Sequence, residues 1–175
     1  MTTSIEPLIS ETEIRARVVA LAAEIAPRLQ PGTVIVALLK GAFVFAADLL
    51  RELARHDLDI NLDFMVLSSY GNDTRSSGRV LINLDCQKLV ENRDVLLLDD
   101  ILDSGNTLTF AVKHMRFKGA GHILTCVLLD KPSRRQTDLQ ADFVGFTIPD
   151  LFVVGYGIDY AERFRELPFI GHLKE

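Results

Sequence analysis

Val95-Leu96-Leu97-Leu98-Asp99-Asp100-Ile101-Leu102-Asp103-Ser104-Gly105-Asn106-Thr107 is the stretch that decides the fold of this chain. Val95 to Leu98 is an uninterrupted apolar run, the pattern of a strand covered on both faces and hence of a parallel sheet. Asp99 and Asp100 follow at its carboxyl end, the side on which open α/β sheets bind ligands. Adjacent carboxylates repel each other and persist when cations or hydroxyl donors engage them. Ribose hydroxyls and a hydrated Mg²⁺ both suit that role. Asp103 to Thr107 then runs straight into a helical pattern. The first amides of a helix lack internal partners and carry partial positive charge, so the turn can cradle a phosphate. Gly105 lets the backbone turn tightly, and Ser104 and Thr107 add hydroxyl donors. An ordinary N-cap at Asp103 or Ser104 explains the turn alone equally well. The turn joined to the acidic pair is more specific and points to a phosphorylated sugar.

Outward from this segment, buried strands alternate with helices. Thr107 to Lys118 is helical, with Leu108, Ala111, Val112 and Met115 on one face and Gly119 beyond its end. Ile123 to Leu129 and Thr33 to Leu39 are further wholly apolar strands, the latter broken by Lys40-Gly41, with a helix from Ala42 to Arg55. Ser10-Glu11-Thr12-Glu13 reads as a capping box ahead of an apolar face at Ile14, Val18, Leu21, Ala22 and Ile25. Leu58 to Ser68 alternates as a half-buried strand, and Val80 to Leu84 resumes as a strand. Short strands are expected at Phe143 to Phe146, Phe152 to Tyr156 and Phe169 to Leu173. Two stretches are excursions from one domain spanning residues 1–175: the polar loop from Ser68 to Arg79 and the segment 131–141. The expected class is α/β, a central mostly parallel sheet flanked by helices.

Composition narrows the function. The 175 residues are 48% hydrophobic and 25% charged, a globular balance. A formal net charge of -5 with scattered basic residues, among which Arg134 and Arg135 form the only tight pair beyond Lys131, argues against nucleic acid as partner. Two cysteines build no disulfide framework, and the four histidines show no metal-ligand spacing. The longest apolar run is far short of the ~20 residues of a membrane helix, and no secretory pattern opens the chain, so a cytoplasmic protein is expected. There is no GxxxxGK[ST], and Gly155-Tyr156-Gly157 starts a GxGxxG that Tyr160 breaks.

The segment from Val95 to Leu108 resembles the phosphoribosyl-pyrophosphate motif of type I phosphoribosyltransferases, in particular the hypoxanthine-guanine enzymes. Further segments agree, in the family's order: Leu39-Lys40-Gly41-Ala42-Phe43, Ser69-Tyr70-Gly71, Leu129-Asp130-Lys131-Pro132, Asp142 to Phe146, and Phe152 to Tyr160 with Arg165 behind it. The resemblance implies a type I phosphoribosyltransferase fold with a small hood and a long mobile loop. It also implies an activity: transfer of a phosphoribosyl group from phosphoribosyl pyrophosphate to a 6-oxopurine, with Mg²⁺, in a homodimer or homotetramer.

Residue roles follow from the same resemblance. Asp99 and Asp100 would bind the ribose hydroxyls and organise a metal, and Asp159 would hold a second Mg²⁺. Asp103 would be the acid/base group. The amides of Ser104, Gly105, Asn106 and Thr107 would hold the 5′-phosphate. Lys40, Gly41 and Arg165 would contact pyrophosphate, with a cis Leu39–Lys40 bond. Ser69 and Tyr70 would belong to the closing loop. Lys131 would donate to the purine 6-oxygen, Phe152 would stack on the ring, and the Val153 backbone would meet its pyrimidine edge beside Asp159. Each has a plainer alternative: a solvated Arg165, a surface Lys131, a core Phe152, an inert hairpin tip. A sugar-sensing regulator on the same fold would be expected to be basic. A pyrimidine-using relative would not be expected to keep both Lys131 and Phe152.

Overall fold

Ser10 caps the first helix as its spacing implies. In the computed structural model, which describes residues 4–69 and 80–174, Ser10 Oγ accepts the Glu13 amide at 3.3 Å, and the Glu13 carboxylate accepts the Ser10 amide at 2.8 Å. This helix, α1 (Glu11–Ile25), buries Ile14, Val18, Leu21, Ala22 and Ile25, the face read from their spacing.

The main sheet is built from β2 (Thr33–Leu39), β3 (Ile60–Ser69), β4 (Val80–Leu84), β5 (Val95–Leu102), β6 (Ile123–Asp130) and β7 (Phe143–Thr147), with β1 (Ser4–Ile9) preceding α1. Its order is β4-β3-β2-β5-β6-β7; β4 alone is antiparallel. From β2 the chain moves to one side, through α2 (Phe43–Leu53) to β3 and β4. It then returns at β5 and moves to the other side, through α3 (Asn106–Phe117) to β6 and β7. The order therefore reverses between β2 and β5, which opens a crevice beyond their carboxyl ends. The helices cover opposite faces: Phe45 and Leu49 of α2 join the cluster around Ile35, Leu96 and Leu98, while Leu108, Ala111 and Met115 of α3 join Val34, Val36 and Leu97.

Burial on both faces explains why β2, β5 and β6 are continuous apolar runs. β3 differs from the expected alternation. Leu62 and Phe64 pack against one cluster and Met65 and Leu67 against the other, so both of its faces carry apolar contacts. On its polar side Asp63 accepts the Gln87 and Lys88 amides at 2.7 and 2.6 Å, holding the segment after β4.

A second, three-stranded antiparallel sheet, in the order β1-β9-β8, forms a hood from β8 (Val153–Val154), β9 (Ile170–Lys174) and β1. β1 was not anticipated. The strand expected from Phe152 to Tyr156 shortens to two residues, because Gly155 and Tyr156 turn at φ 99° and 51° and Gly155 bridges back to Ile158. No helix among the described residues is long and apolar enough to cross a membrane.

Candidate active site

β5 runs farther than its apolar core suggested. Asp99 and Asp100 lie within the strand, not beyond it, because β6 goes on pairing through Ile101↔Leu129 and Leu102↔Asp130. On the other edge the ladder with β2 ends at Ala37↔Leu98. One side of β5 is thus paired and the other faces the crevice. Asp99 is 8% exposed. Burial pushes its carboxyl well above the usual carboxylate range, and the Asp100 charge acts in the same direction. Burial also raises Asp100, partly offset by hydrogen bonds from Asp99 and the Ile101 amide and by the Arg165 charge.

Gly41 packs directly on this pair. A Cβ built there would lie 1.6 Å from Asp100 Oδ2, so only glycine leaves room for that carboxylate. Gly41 and Lys40 follow β2, across a cis Leu39–Lys40 peptide, and line one cleft with Asp99, Asp100, Asp103, Ser104, Gly105 and Thr107.

The turn after β5 resolves the N-cap question. The capping residue of α3 is Gly105, at φ 88°, and no side chain caps the helix. The plainer alternative, an N-cap at Asp103 or Ser104, therefore does not hold. Ser104 Oγ accepts the Asn106 amide at 3.3 Å. The positive end of α3, touched only by this long contact from Ser104 among the described residues, lines the cleft at Gly105 and Thr107, which suits an anion.

A structural role for the segment 131–141, read from sequence as an excursion, was missed. Arg135 donates to the carbonyls of Leu102 and Asp103 at 3.2 and 3.1 Å and pairs with Asp130, and the Gln136 amide donates to the Ser104 carbonyl at 2.8 Å. A Cβ at Gly105 would meet Thr137 Oγ1 at 2.2 Å. The turn is thus braced from behind by residues 135–137. The adjacent arginine pair was visible in the sequence, but its targets are backbone carbonyls that only the fold brings near.

A second cleft is lined by Ile101, Asp103, Lys131, Arg134, Phe152, Val153 and Asp159, among others. Asp103 lines both clefts. Lys131 is only 7% exposed and donates to the Leu151 carbonyl at 2.7 Å, so the surface-lysine alternative fails. Phe152 is 55% exposed and meets Tyr160 edge-to-face at 5.4 Å, so it is not core. Val153 is buried in β8, opposite His172. Arg134, also missed, donates to Asp103 Oδ1 at 3.2 Å and to Asp150 at 3.4 Å.

Arg165 is not simply solvated. It pairs with Asp159 at 2.8 Å and with Glu162 at 3.3 Å and donates to the Gly157 carbonyl at 2.8 Å. Lys40 meets the same Glu162 at 3.0 Å. Of the loop residues, Ser69 ends β3 and Tyr70 lies outside the described residues.

Comparison with known proteins agrees with this geometry. The family described as the phosphoribosyl transferase domain matches residues 10–161. The hypoxanthine-guanine phosphoribosyltransferase of Bacillus subtilis is 51% identical over 95% of this chain and 92% of its own. The hypoxanthine phosphoribosyltransferase of Salmonella typhimurium is 44% identical over 96% of this chain and 94% of its own. A crystal structure of a hypoxanthine-guanine phosphoribosyltransferase from Bacillus anthracis superposes with a TM-score of 0.90 at 44% identity, covering 97% of this chain and 99% of that one. The chain belongs to the phosphoribosyltransferase family, on the hypoxanthine-guanine branch that these relatives represent.

Proposed function

We propose that this chain transfers the 5-phosphoribosyl group of phosphoribosyl pyrophosphate to hypoxanthine or guanine, giving IMP or GMP and pyrophosphate in purine salvage. One observation carries the reading: Asp103 lines both the cleft of the acidic pair and helix turn and the cleft of Lys131 and Phe152. A sugar in the first cleft and a base in the second would meet beside that carboxylate.

Each side chain then has a defined task. The amides of Ser104 to Thr107 hold the 5-phosphate at the positive end of α3. Asp99 and Asp100 accept hydrogen bonds from the ribose hydroxyls, which compensates a buried and a half-buried carboxylate that otherwise oppose each other. Lys131 donates to the 6-oxygen and so favours an oxopurine over adenine. Phe152 offers a ring face to the base, and the Val153 backbone meets its pyrimidine edge. As the C1–O bond to pyrophosphate breaks and the C1–N bond forms, Asp103 accepts the proton leaving the purine nitrogen. Lys40, the Gly41 backbone and Arg165 stabilise the charge that collects on pyrophosphate.

Mg²⁺ fits this donor set. No cluster of three or more potential ligands occurs among the described residues. The adjacent carboxylates Asp99 and Asp100 offer the hard oxygen donors of an ion which keeps waters and substrate phosphate oxygens and takes few protein carboxylates. Asp99, Asp100 and Asp159 are the residues that would hold it or its waters. When bound, Mg²⁺ neutralises charge on the pyrophosphate oxygens.

The apolar cluster running from Ile14 of α1 to Ile170 of β9 supports one domain over residues 1–175. Both cysteines are buried thiols, in keeping with a cytoplasmic enzyme. A homodimer or homotetramer is expected, testable by sedimentation. The functional test is a purine panel with phosphoribosyl pyrophosphate and Mg²⁺. Nucleotide from hypoxanthine or guanine and none from adenine supports the reading; no nucleotide from any 6-oxopurine refutes it.

A further inference from the structure

Glu162 pairs with both of the cations assigned to the leaving group. Its two carboxylate oxygens divide between two cations: Oε1 accepts from Lys40 Nζ at 3.0 Å and Oε2 from Arg165 Nη2 at 3.3 Å. The cations come from distant parts of the chain, the turn after β2 and the segment between β8 and β9. Glu162 is aimed at them by a tight turn. Ala161 and Glu162 both have left-handed backbones, at φ 51° and 63°, the Glu162 amide donates to Asp159 at 2.8 Å, and Tyr160 bridges back to Arg163. A carboxylate forked between an ammonium and a guanidinium presents the same charge and acceptor pattern as one edge of a phosphate.

We infer that Glu162 is an internal competitor of pyrophosphate. It pairs with Lys40 and Arg165 when the leaving-group site is empty, yields them to the pyrophosphate arm of the substrate, and takes them back as the product departs. The inference rests on the proposed assignment of Lys40 and Arg165 to pyrophosphate. It deepens that assignment, since it predicts weaker binding and faster release of the product than two uncommitted cations would allow.

The rival explanation is a strut that orients Arg165. Two contacts independent of Glu162 already place that guanidinium, at Asp159 and the Gly157 carbonyl. The Glu162 side chain is 66% exposed, so nothing packs on it that a neutral isostere would disturb.

The two explanations predict opposite signs for Glu162→Gln, which keeps size and the left-handed turn. Calorimetry with inorganic pyrophosphate in Mg²⁺ buffer reads binding without turnover. As a competitor, Glu162 weakens binding, so the variant should bind pyrophosphate about threefold to tenfold more tightly, the range set by no longer breaking one or two exposed ion pairs. Its product-inhibition constant for pyrophosphate should fall by the same factor, and Glu162→Ala should shift binding in the same direction. Unchanged or weaker binding by Glu162→Gln, with wild type active in the purine panel, overturns the competitor and leaves the functional reading standing. Wild type that binds no pyrophosphate and makes no nucleotide overturns both.

Discussion

Replacing Gly41 with alanine places a methyl carbon 1.6 Å from Asp100 Oδ2, 2.5 Å from its Cγ and 3.2 Å from Oδ1. The carboxylate must give way by more than a full ångström. Gly41 is not among the residues with a left-handed φ, so alanine suits the backbone and the fold should persist. The damage is confined to Asp100 and to the ribose hydroxyl it holds. A hydrogen bond to a charged group is worth about 1.5–3 kcal/mol, so kcat/KM for phosphoribosyl pyrophosphate should fall by about 10- to 150-fold. Initial rates at varied phosphoribosyl pyrophosphate measure this, with thermal melts as the control for folding. The route through Asp100 is checked by a double-mutant cycle: on an Asp100→Ala background, Gly41→Ala should add less than about twofold. A single variant with wild-type kcat/KM, or full additivity in the cycle, would refute the reasoning.

Further outcomes follow from the same geometry. Asp103→Asn should lower kcat by about 10²–10⁴-fold with little change in KM, as steady-state kinetics would show; an unchanged kcat would remove Asp103 from proton transfer. Lys131→Met should cost hypoxanthine kcat/KM about 10–100-fold while adenine stays excluded or gains slightly, measured in competing-base assays; undiminished hypoxanthine use would show that Lys131 does not read the 6-oxygen. Asp99→Asn should stabilise the protein without ligand near pH 7. The folded-state pKa of Asp99 is raised, so the stability this group contributes is full below its unfolded value and is lost as pH rises through the folded one. The variant escapes that loss, and each kcal/mol relieved raises Tm by about 2–4 °C, with the difference from wild type closing at acid pH. A variant that melts lower at pH 7 would contradict the burial argument.

Much of this arrangement is legible in the sequence because it is local. The apolar runs of β2, β5 and β6, the capping box of α1 and the acidic pair ahead of Gly105 each lie within a few residues, where periodicity and spacing act. What escaped is long-range. β1 carries Pro7 and no clean alternation, and it is a strand because it pairs with β9 at the far end of the chain, Ser4 opposite Lys174. Arg134 and Arg135 read as a bare basic pair until the fold brings Asp103 and the carbonyls of the turn to them. Glu162 is one acid in a charged stretch, and its contact with Lys40 spans 122 residues. The cap of α3 stayed open for a different reason: a left-handed φ at Gly105 displaces the N-cap from Asp103 or Ser104, and spacing alone does not show which residue adopts it.

The most direct measurement is a crystal structure with IMP. Its phosphate should lie within hydrogen-bond reach of the Ser104 to Thr107 amides, with ribose hydroxyls on Asp99 and Asp100 and the base between Phe152 and Lys131. Nucleotide bound elsewhere, leaving that turn and the acidic pair without ligand, would contradict the account.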